Sequence, residues 1–303
     1  MNNRILEISQ MGAYLSIERG FIKISIENDK DYKVPIDDIG SIIANSYRLS
    51  YSNNLLVSLA ERNIPLIICG SNHNPVGILW SLESHSLQSG RLDYQINAKK
   101  TLYKKSWQEI IKTKISNQAV CLKALGKNSI KIKTAVKNVL SGDSSNQEGY
   151  AARIYWQELF GKDFVRDREQ TGVNALLNYG YTILRSGISR AIMGAGLHPG
   201  IGIFHRNKAN HMRLSDDLME PFRPIVDYFV YHQSLKSNPV VLTPDIKKLL
   251  VDILYLDMDS YRGRSPVFTR MQSLATSFAL SLERLKISLD LPILKESDLT
   301  EKQ

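Results

Sequence analysis

The hydrophobic pattern of this chain changes period once, and that change limits the folds open to it. Over roughly the first quarter, apolar residues alternate with polar ones or sit in short blocks; from residue 97 onward they recur every three to four positions. A period of two sends successive side chains to opposite faces of a strand, whereas a period of 3.6 lines them along one face of a helix. Both patterns, held in separate blocks, read as an α+β chain: a small β-rich N-terminal domain over residues 1–80, a linker over 81–96, and a larger all-α-helical domain over 97–303. A length of 303 residues suits two domains, since one commonly takes ~100–200 residues.

In the first block, residues 4–9 and 13–17 read as strands, Glu18-Arg19-Gly20 as a turn, and Phe21-Ile22-Lys23-Ile24-Ser25-Ile26 as a half-buried strand. Residues 34–36 and 39–43 give two more short strands. A helix over 53–62 carries Leu55, Leu56, Leu59 and Ala60 on one face, with Ser52 or Asn53 as its cap, and 65–69 is a buried strand stopped by Gly70. Residues 71–96 hold turn formers and little periodicity. Helical spacing then covers 107–124, 130–140, 148–159, 173–195, 214–231, 243–261 and 273–288, and the polar residues 296–303 read as a frayed end.

Charge narrows the function. The chain carries a formal net charge of +9, which calls for an acidic partner such as nucleic acid, a membrane surface or an acidic protein. The surplus is local: between Ala98 and Leu140 stand eleven lysines and one acid, Glu109. Solvated helix faces usually mix signs, so a one-signed lysine field points to a polyanion. Lysines act as point charges toward phosphates, so the field speaks for backbone binding, not base reading. Lys99, Lys100, Lys104 and Lys105 open it and are the candidate DNA contacts. Two cysteines, Cys69 and Cys121, give neither a zinc spacing nor a disulfide framework. No leader-like segment and no run of ~18 apolar residues is present, so a cytoplasmic protein without membrane association is expected.

Three short stretches carry groups suited to chemistry. Leu214-Ser215-Asp216-Asp217-Leu218-Met219-Glu220-Pro221-Phe222-Arg223-Pro224 places three carboxylates within five residues of a helix, with Asp217 and Asp216 three and four positions before Glu220. Such pairs share a helical face, and like charges that close need a cation, which Arg213 or Arg223 can supply. Upstream, Gly202-Ile203-Phe204-His205 brings an imidazole to the edge of an apolar run; His211, in the loop that follows, competes for the same role. Glu148, in Asn146-Gln147-Glu148-Gly149, sits at a helix start, where an acid favours the dipole and the neighbouring glycine permits close backbone approach. Two carboxylates and a neutral imidazole suit a divalent metal: magnesium for its oxygen ligands, manganese because it also accepts nitrogen. Such an ion beside a basic surface points to phosphodiester chemistry.

The order and wording of these stretches resemble a known family. Asn146-Gln147-Glu148-Gly149 with Ala152-Arg153-Ile154-Tyr155-Trp156 and Leu159-Phe160-Gly161 looks like the glutamate motif of the CRISPR-associated Cas-one integrases. Asn174-Ala175-Leu176-Leu177-Asn178-Tyr179-Gly180-Tyr181 looks like the helix after it, Gly202-Ile203-Phe204-His205 is similar to the histidine motif, and Asp217-Leu218-Met219-Glu220-Pro221-Phe222-Arg223-Pro224 with Asp227 resembles the acidic motif. The wording is most like that of type II systems. The resemblance implies Glu148, His205 and Glu220 as catalytic ligands of Mg2+ or Mn2+, with Asp217 a further candidate. It implies transesterification, in which the 3′-hydroxyl of a captured DNA fragment attacks the border of a CRISPR repeat. It also implies double-stranded DNA as partner, a homodimer through the N-terminal domain, and a heterohexamer in which two such dimers flank a central dimer of the small Cas-two protein. A nuclease that cuts without joining shares the same ligands, and a DNA-binding scaffold with a merely salt-bridged acidic helix is the non-catalytic alternative.

Overall fold

Alternating residues build the first unit of the structure, a computed structural model describing residues 4–26, 30–70, 75–81, 87–167, 169–236 and 239–300. The chain divides into two units, Met1–Ser86 and Leu87–Gln303. In the first, strands β1 (Arg4–Ile8), β2 (Tyr14–Glu18), β3 (Phe21–Ser25), β4 (Tyr32–Pro35), β5 (Ile39–Ala44) and β6 (Ser50–Tyr51) precede helix α1 (Asn53–Glu61), and β7 (Leu66–Cys69) and β8 (Pro75–Leu79) follow it. They form two four-stranded sheets, ordered β4-β3-β2-β6 and β1-β5-β7-β8.

Sequence pattern explains the sheets. In β2 and β3, Leu15 pairs with Ile24 and Ile17 with Ile22, so one face of the antiparallel ladder is apolar. Strand β5 lies between β1 and β7, parallel to both, and all six of its residues are buried. Strands covered on both faces read as continuous apolar runs. One cluster joins Leu15, Ile22, Ile36, Ile42, Leu55 and Leu59. Ser52 is the cap of α1: its side chain accepts a hydrogen bond from the Leu55 amide.

The second unit contains α2 (Gln88–Asn97), α3 (Lys100–Ala124), α4 (Ile130–Lys137), α5 (Gln147–Phe160), α6 (Val173–Gly194), α7 (Arg213–Met219), α8 (Arg223–Lys236), α9 (Pro244–Asp252), the hairpin β9 (Asp257–Ser260) and β10 (Gly263–Pro266), then α10 (Val267–Glu283) and α11 (Glu296–Thr300). α3 packs on α4, α5 and α8, and α6 on α7, α8, α9 and α10. α6 is buried nearly all round. Gly180 lets α8 come close: a Cβ there would stand 2.4 Å from the Val226 side chain.

Five expectations change. The linker over 81–96 is largely α2, and β8 and α2 occupy much of the stretch read as turn formers; residues 82–86 lie outside the described ones. α2 escapes a hydrophobic reading because its buried face is polar: Arg91 pairs with Glu283 at 2.6 Å and donates to the Ala195 carbonyl at 2.9 Å, while the Gln95 side chain accepts from the His198 amide at 2.7 Å. The helix expected over 243–261 stops at Asp252, and the all-helical unit includes the hairpin β9–β10. The helix expected over 214–231 is broken by a single 3-10 turn, Glu220–Phe222. Pro221 and Pro224 cause the break, since each lacks an N–H and crowds the preceding turn. The end of the chain is anchored as far as 300, with Leu299 buried and Asp298 paired with Arg264 at 2.5 Å.

Candidate active site

The site grows from one misplaced charge. On α3, Trp107, Ile110, Ile111, Ile115, Cys121 and Leu122 form a buried apolar stripe. Lys114 falls on the same stripe and is 8% exposed. A buried ammonium needs partners, and Lys114 Nζ has two: Glu148 Oε1 and Glu220 Oε2, each at 2.6 Å.

Glu148 is brought there by the start of α5. Gly142 and Asp143 both turn with positive φ, and the Asp143 carboxylate then accepts from the amides of Gln147 at 2.8 Å and Glu148 at 3.0 Å. Gly149 lets the Asn146 side chain approach, since a Cβ there would lie 2.8 Å from Asn146 Oδ1. Glu220 is delivered by the 3-10 turn and also meets Arg223 Nε at 3.0 Å. Burial opposes charge on Glu220, but Arg223 and Lys114 outweigh it and hold the acid down at about 2. Burial likewise opposes charge on Lys114, and Glu220 and Glu148 together hold its pKa above the ordinary lysine value.

The three acids near residue 217 go three ways instead of sharing one helical face. Asp216 is gripped by Arg185 through two bonds of 2.6 Å; Arg185, not Arg213, neutralises it. Asp217 is fully buried and turns back on the loop before α7. Its Oδ2 accepts from the amides of Ile203 at 2.6 Å and Phe204 at 3.0 Å, and its Oδ1 lies 2.5 Å from His205 Nδ1. Both oxygens of Asp217 are therefore engaged, and Nε2 is the ring nitrogen His205 keeps for another partner. The Asp217 hydrogen bond raises the His205 pKa against the opposing effect of burial. Trp107 stacks on Phe204 with centroids 4.5 Å apart and planes 2° from parallel, and meets the His205 ring edge-on at 5.9 Å. His211, the competing histidine, is exposed.

Beside Glu220 opens a cavity of about 230 Å³ lined by Lys114, Gln118, Ala152, Trp156, Arg166, Tyr181, Arg223 and Asp227. Asp227, itself buried, accepts from Tyr155 at 3.0 Å and Tyr181 at 2.5 Å. Burial raises the Asp227 carboxyl to about 6 despite those two hydroxyls. The guanidinium of Arg223 lies 4.4 Å from the Tyr181 ring centroid and that of Arg166 5.4 Å from it, so a ring pinned at its hydroxyl carries two cations.

Among the described residues, no three of histidine, cysteine, aspartate and glutamate stand close enough to ligate one ion as they are. The donors nevertheless fit a divalent cation. Glu148 and Glu220 already converge on one positive charge. Glu220 Oε2 is buried and, although 2.6 Å from Lys114 Nζ, has no aligned hydrogen-bond donor. His205 and Glu220 feel each other's charge.

Lys99, Lys100, Lys104 and Lys105 are exposed, as are Lys131, Lys133 and Lys137. Lys114 leaves the lysine field altogether, Lys112 pairs with Glu109 and Lys123 with Glu296. Sequence reading missed Lys114, Trp107, Arg166 and the tyrosine pair. Lys114 alone left a signal, since a lysine three and four positions after Ile111 and Ile110 interrupts the apolar face of a long helix.

Fold and site together define a class: an α+β protein whose helical unit closes carboxylates and cations around a small polar cavity, with exposed lysines on neighbouring helices. Known proteins agree. The sequence profile of the family described as CRISPR associated protein Cas1 matches residues 6–238. The CRISPR-associated endonuclease Cas1 of Neisseria meningitidis serogroup C is 33% identical over 272 residues, 89% of each chain. Among solved structures, a casposase bound to integration product superposes with a TM-score of 0.79 at 20% identity, covering 99% of this chain and 94% of that one. A Cas6-RT-Cas1–Cas2 complex gives 0.75 at 18%, covering 97% of this chain and 36% of that one. The chain belongs to the Cas1 family, as its motifs implied, and it has the α+β architecture expected from its two hydrophobic periods. No helix among the described residues is long and apolar enough to cross a membrane.

Proposed function

We propose that the protein is a metal-dependent DNA integrase of CRISPR adaptation, joining the 3′-hydroxyl of captured DNA to the repeat of a CRISPR array. The observation that carries this reading is the convergence of Glu148 and Glu220 on one cation, with Glu220 lining a cavity that Arg166 and Arg223 also line. Glu148, Glu220 and His205 Nε2 would hold Mg2+ or Mn2+. When bound, such an ion supplies Lewis-acid stabilisation of phosphate charge and lowers the pKa of the attacking hydroxyl. Asp217 serves as the orienter of His205 instead of as a ligand. Arg166 and Arg223 bind phosphate oxygens and hold the scissile bond in line with the incoming oxygen.

Transesterification balances without an energy source. The donor 3′-oxygen loses its proton and bonds to phosphorus, the bond from phosphorus to the repeat's 3′-oxygen breaks, and that oxygen takes up a proton. One phosphodiester is made for each one lost. Double-stranded DNA is the substrate, and the exposed lysines bind its backbone. Self-association through the first unit, where Tyr14 and Phe21 are exposed, gives the homodimer. Two such dimers flank a central dimer of a Cas2-type partner. The casposase on its integration product and the Cas1–Cas2 complex lend support through their shared fold.

The decisive experiment supplies donor DNA ending in a 3′-deoxy sugar to protein, Cas2-type partner and a repeat-bearing plasmid. Normal ends give branched products carrying the donor strand, and deoxy ends give none. Equal nicking by both donors with no attachment means hydrolysis, and the integrase reading fails in favour of a nuclease.

Backbone binding by the lysines has its own measure. Affinity for duplex DNA falls with salt at roughly 0.9 log units per log unit of salt for each neutralised phosphate. Changing Lys99, Lys100, Lys104 and Lys105 to alanine flattens that slope; an unchanged slope places the DNA surface elsewhere.

A further inference from the structure

We propose that the Lys114 ammonium is an exchangeable occupant of the Glu148–Glu220 pair: it neutralises the two carboxylates until a divalent cation replaces it, and then turns into the adjoining cavity as a contact for DNA phosphate. This rests on the metal reading of the same site.

Charge balance favours the exchange, since withdrawing Lys114 lowers the surplus that a divalent ion creates from two positive charges to one. Glu148 and Glu220 bring two negative charges, and Lys114 and Arg223 bring two positive ones within 3.0 Å or less of them. The set is therefore neutral, and its side chains are only 5–24% exposed. A divalent ion added to it leaves two uncompensated positive charges in a poorly solvated place, which is costly. Arg223 is fixed by its position over the Tyr181 ring. Lys114 is not held in that way: its ammonium rides on four flexible methylenes, and its ion-pair partners are the two carboxylates that the cation would take.

The released group has somewhere to go. Lys114 itself lines the cavity of about 230 Å³, next to Gln118 and on the same side of the molecule as Arg166. Before exchange the ammonium is spent on carboxylates; after it, the cavity presents Lys114 with two guanidinium groups, a set suited to a phosphate. Metal loading thereby readies the phosphate site, and the lysine couples the two.

The test uses the full-length protein and Mn2+ alone. Lysines are methylated with formaldehyde and a mild hydride donor, and each is followed by mass spectrometry. In chelator, Lys114 reacts slowly, as a buried ion-paired amine must. Saturating Mn2+ speeds its reaction about tenfold or more, a change worth ~1.4 kcal/mol of protection, while exposed Lys104 and Lys105 keep their rates. Mn2+ binding is measured in parallel by electron paramagnetic resonance, with Glu148→Ala as control. If Mn2+ binds in a Glu148-dependent way and Lys114 stays protected, the exchange is wrong and the metal reading stands. If no Glu148-dependent binding occurs, both fail. Lys114→Gln adds an independent check: without a competing ammonium its Mn2+ affinity rises, and a folded variant with equal or weaker affinity overturns the proposal.

Discussion

Glu148→Ala and Glu220→Ala lose strand transfer alike, each by at least about 10³-fold, yet differ sharply in stability. The common loss follows from removing an oxygen ligand of the proposed ion, whose stabilisation of phosphate charge is worth several kcal/mol at ~1.4 kcal/mol per tenfold. The difference follows from what each substitution leaves behind. Without Glu148, Lys114 keeps Glu220 as a partner at 2.6 Å, and α5 loses an acid from its first turn, a cost of about 0.3–1 kcal/mol. Without Glu220, Lys114 and Arg223 both lose a buried partner, and breaking a buried pair costs roughly 3–5 kcal/mol. Thermal or urea unfolding of the two variants separates them. Equal unfolding midpoints would show that Glu220 does not neutralise the site; a Glu148→Ala protein with full joining in Mn2+ would remove that residue from the metal set.

Asp217→Ala is expected to destabilise the protein about as much as Glu220→Ala. Its carboxylate accepts from the Ile203 and Phe204 amides and holds His205 Nδ1, with no exposure to water. Alanine leaves those donors without an acceptor, costing roughly 3–5 kcal/mol for a buried charged hydrogen-bond network. It also frees the imidazole to rotate. Groups that orient a metal-binding histidine are worth about 10–100-fold in metal affinity, so Mn2+ binding weakens by that range even where the variant is folded. Asp217→Asn retains an acceptor and recovers most of the stability but not the affinity. Unchanged Mn2+ affinity in folded Asp217→Asn would deny Asp217 an orienting role.

Residues 214–224 were only partly legible in the sequence. The carboxylates are plain in the sequence, and a helix through them puts Asp217 and Glu220 on one face. The structure instead ends α7 at Met219 and tightens into a 3-10 turn at Glu220, with helical backbone angles kept on both sides. Both prolines were visible, yet whether a proline kinks or ends a helix depends on what the freed carbonyls and the next side chains meet. Here Asp217 meets three backbone amides of a loop, and Glu220 meets Lys114 from a helix a hundred positions away.

α2 was illegible for a related reason. Its buried face is Arg91 and Gln95, so it carries no apolar period, and only its partners Glu283, Ala195 and His198 make it a helix of the second unit. Lys114 lay hidden in a lysine count. Seen as one of eleven it belonged to a DNA-binding field; seen on the Trp107–Ile111–Ile115 stripe it had to be an internal counter-ion.

By itself the sequence determined the succession of a β-rich part and a helical part, most strands of the first and most helices of the second, because hydrophobic period is set locally by backbone geometry. It also determined the basic helices and the residue types of the site, and with them the family. Which side chains meet was decided only by tertiary structure: Asp216 with Arg185, Asp217 with His205, and Glu148 with Glu220 across Lys114. Charged groups carry no period that reveals their partners. Their pairing is chosen when burial strips them of water and leaves each to be neutralised by whatever opposite charge the packed helices bring within reach.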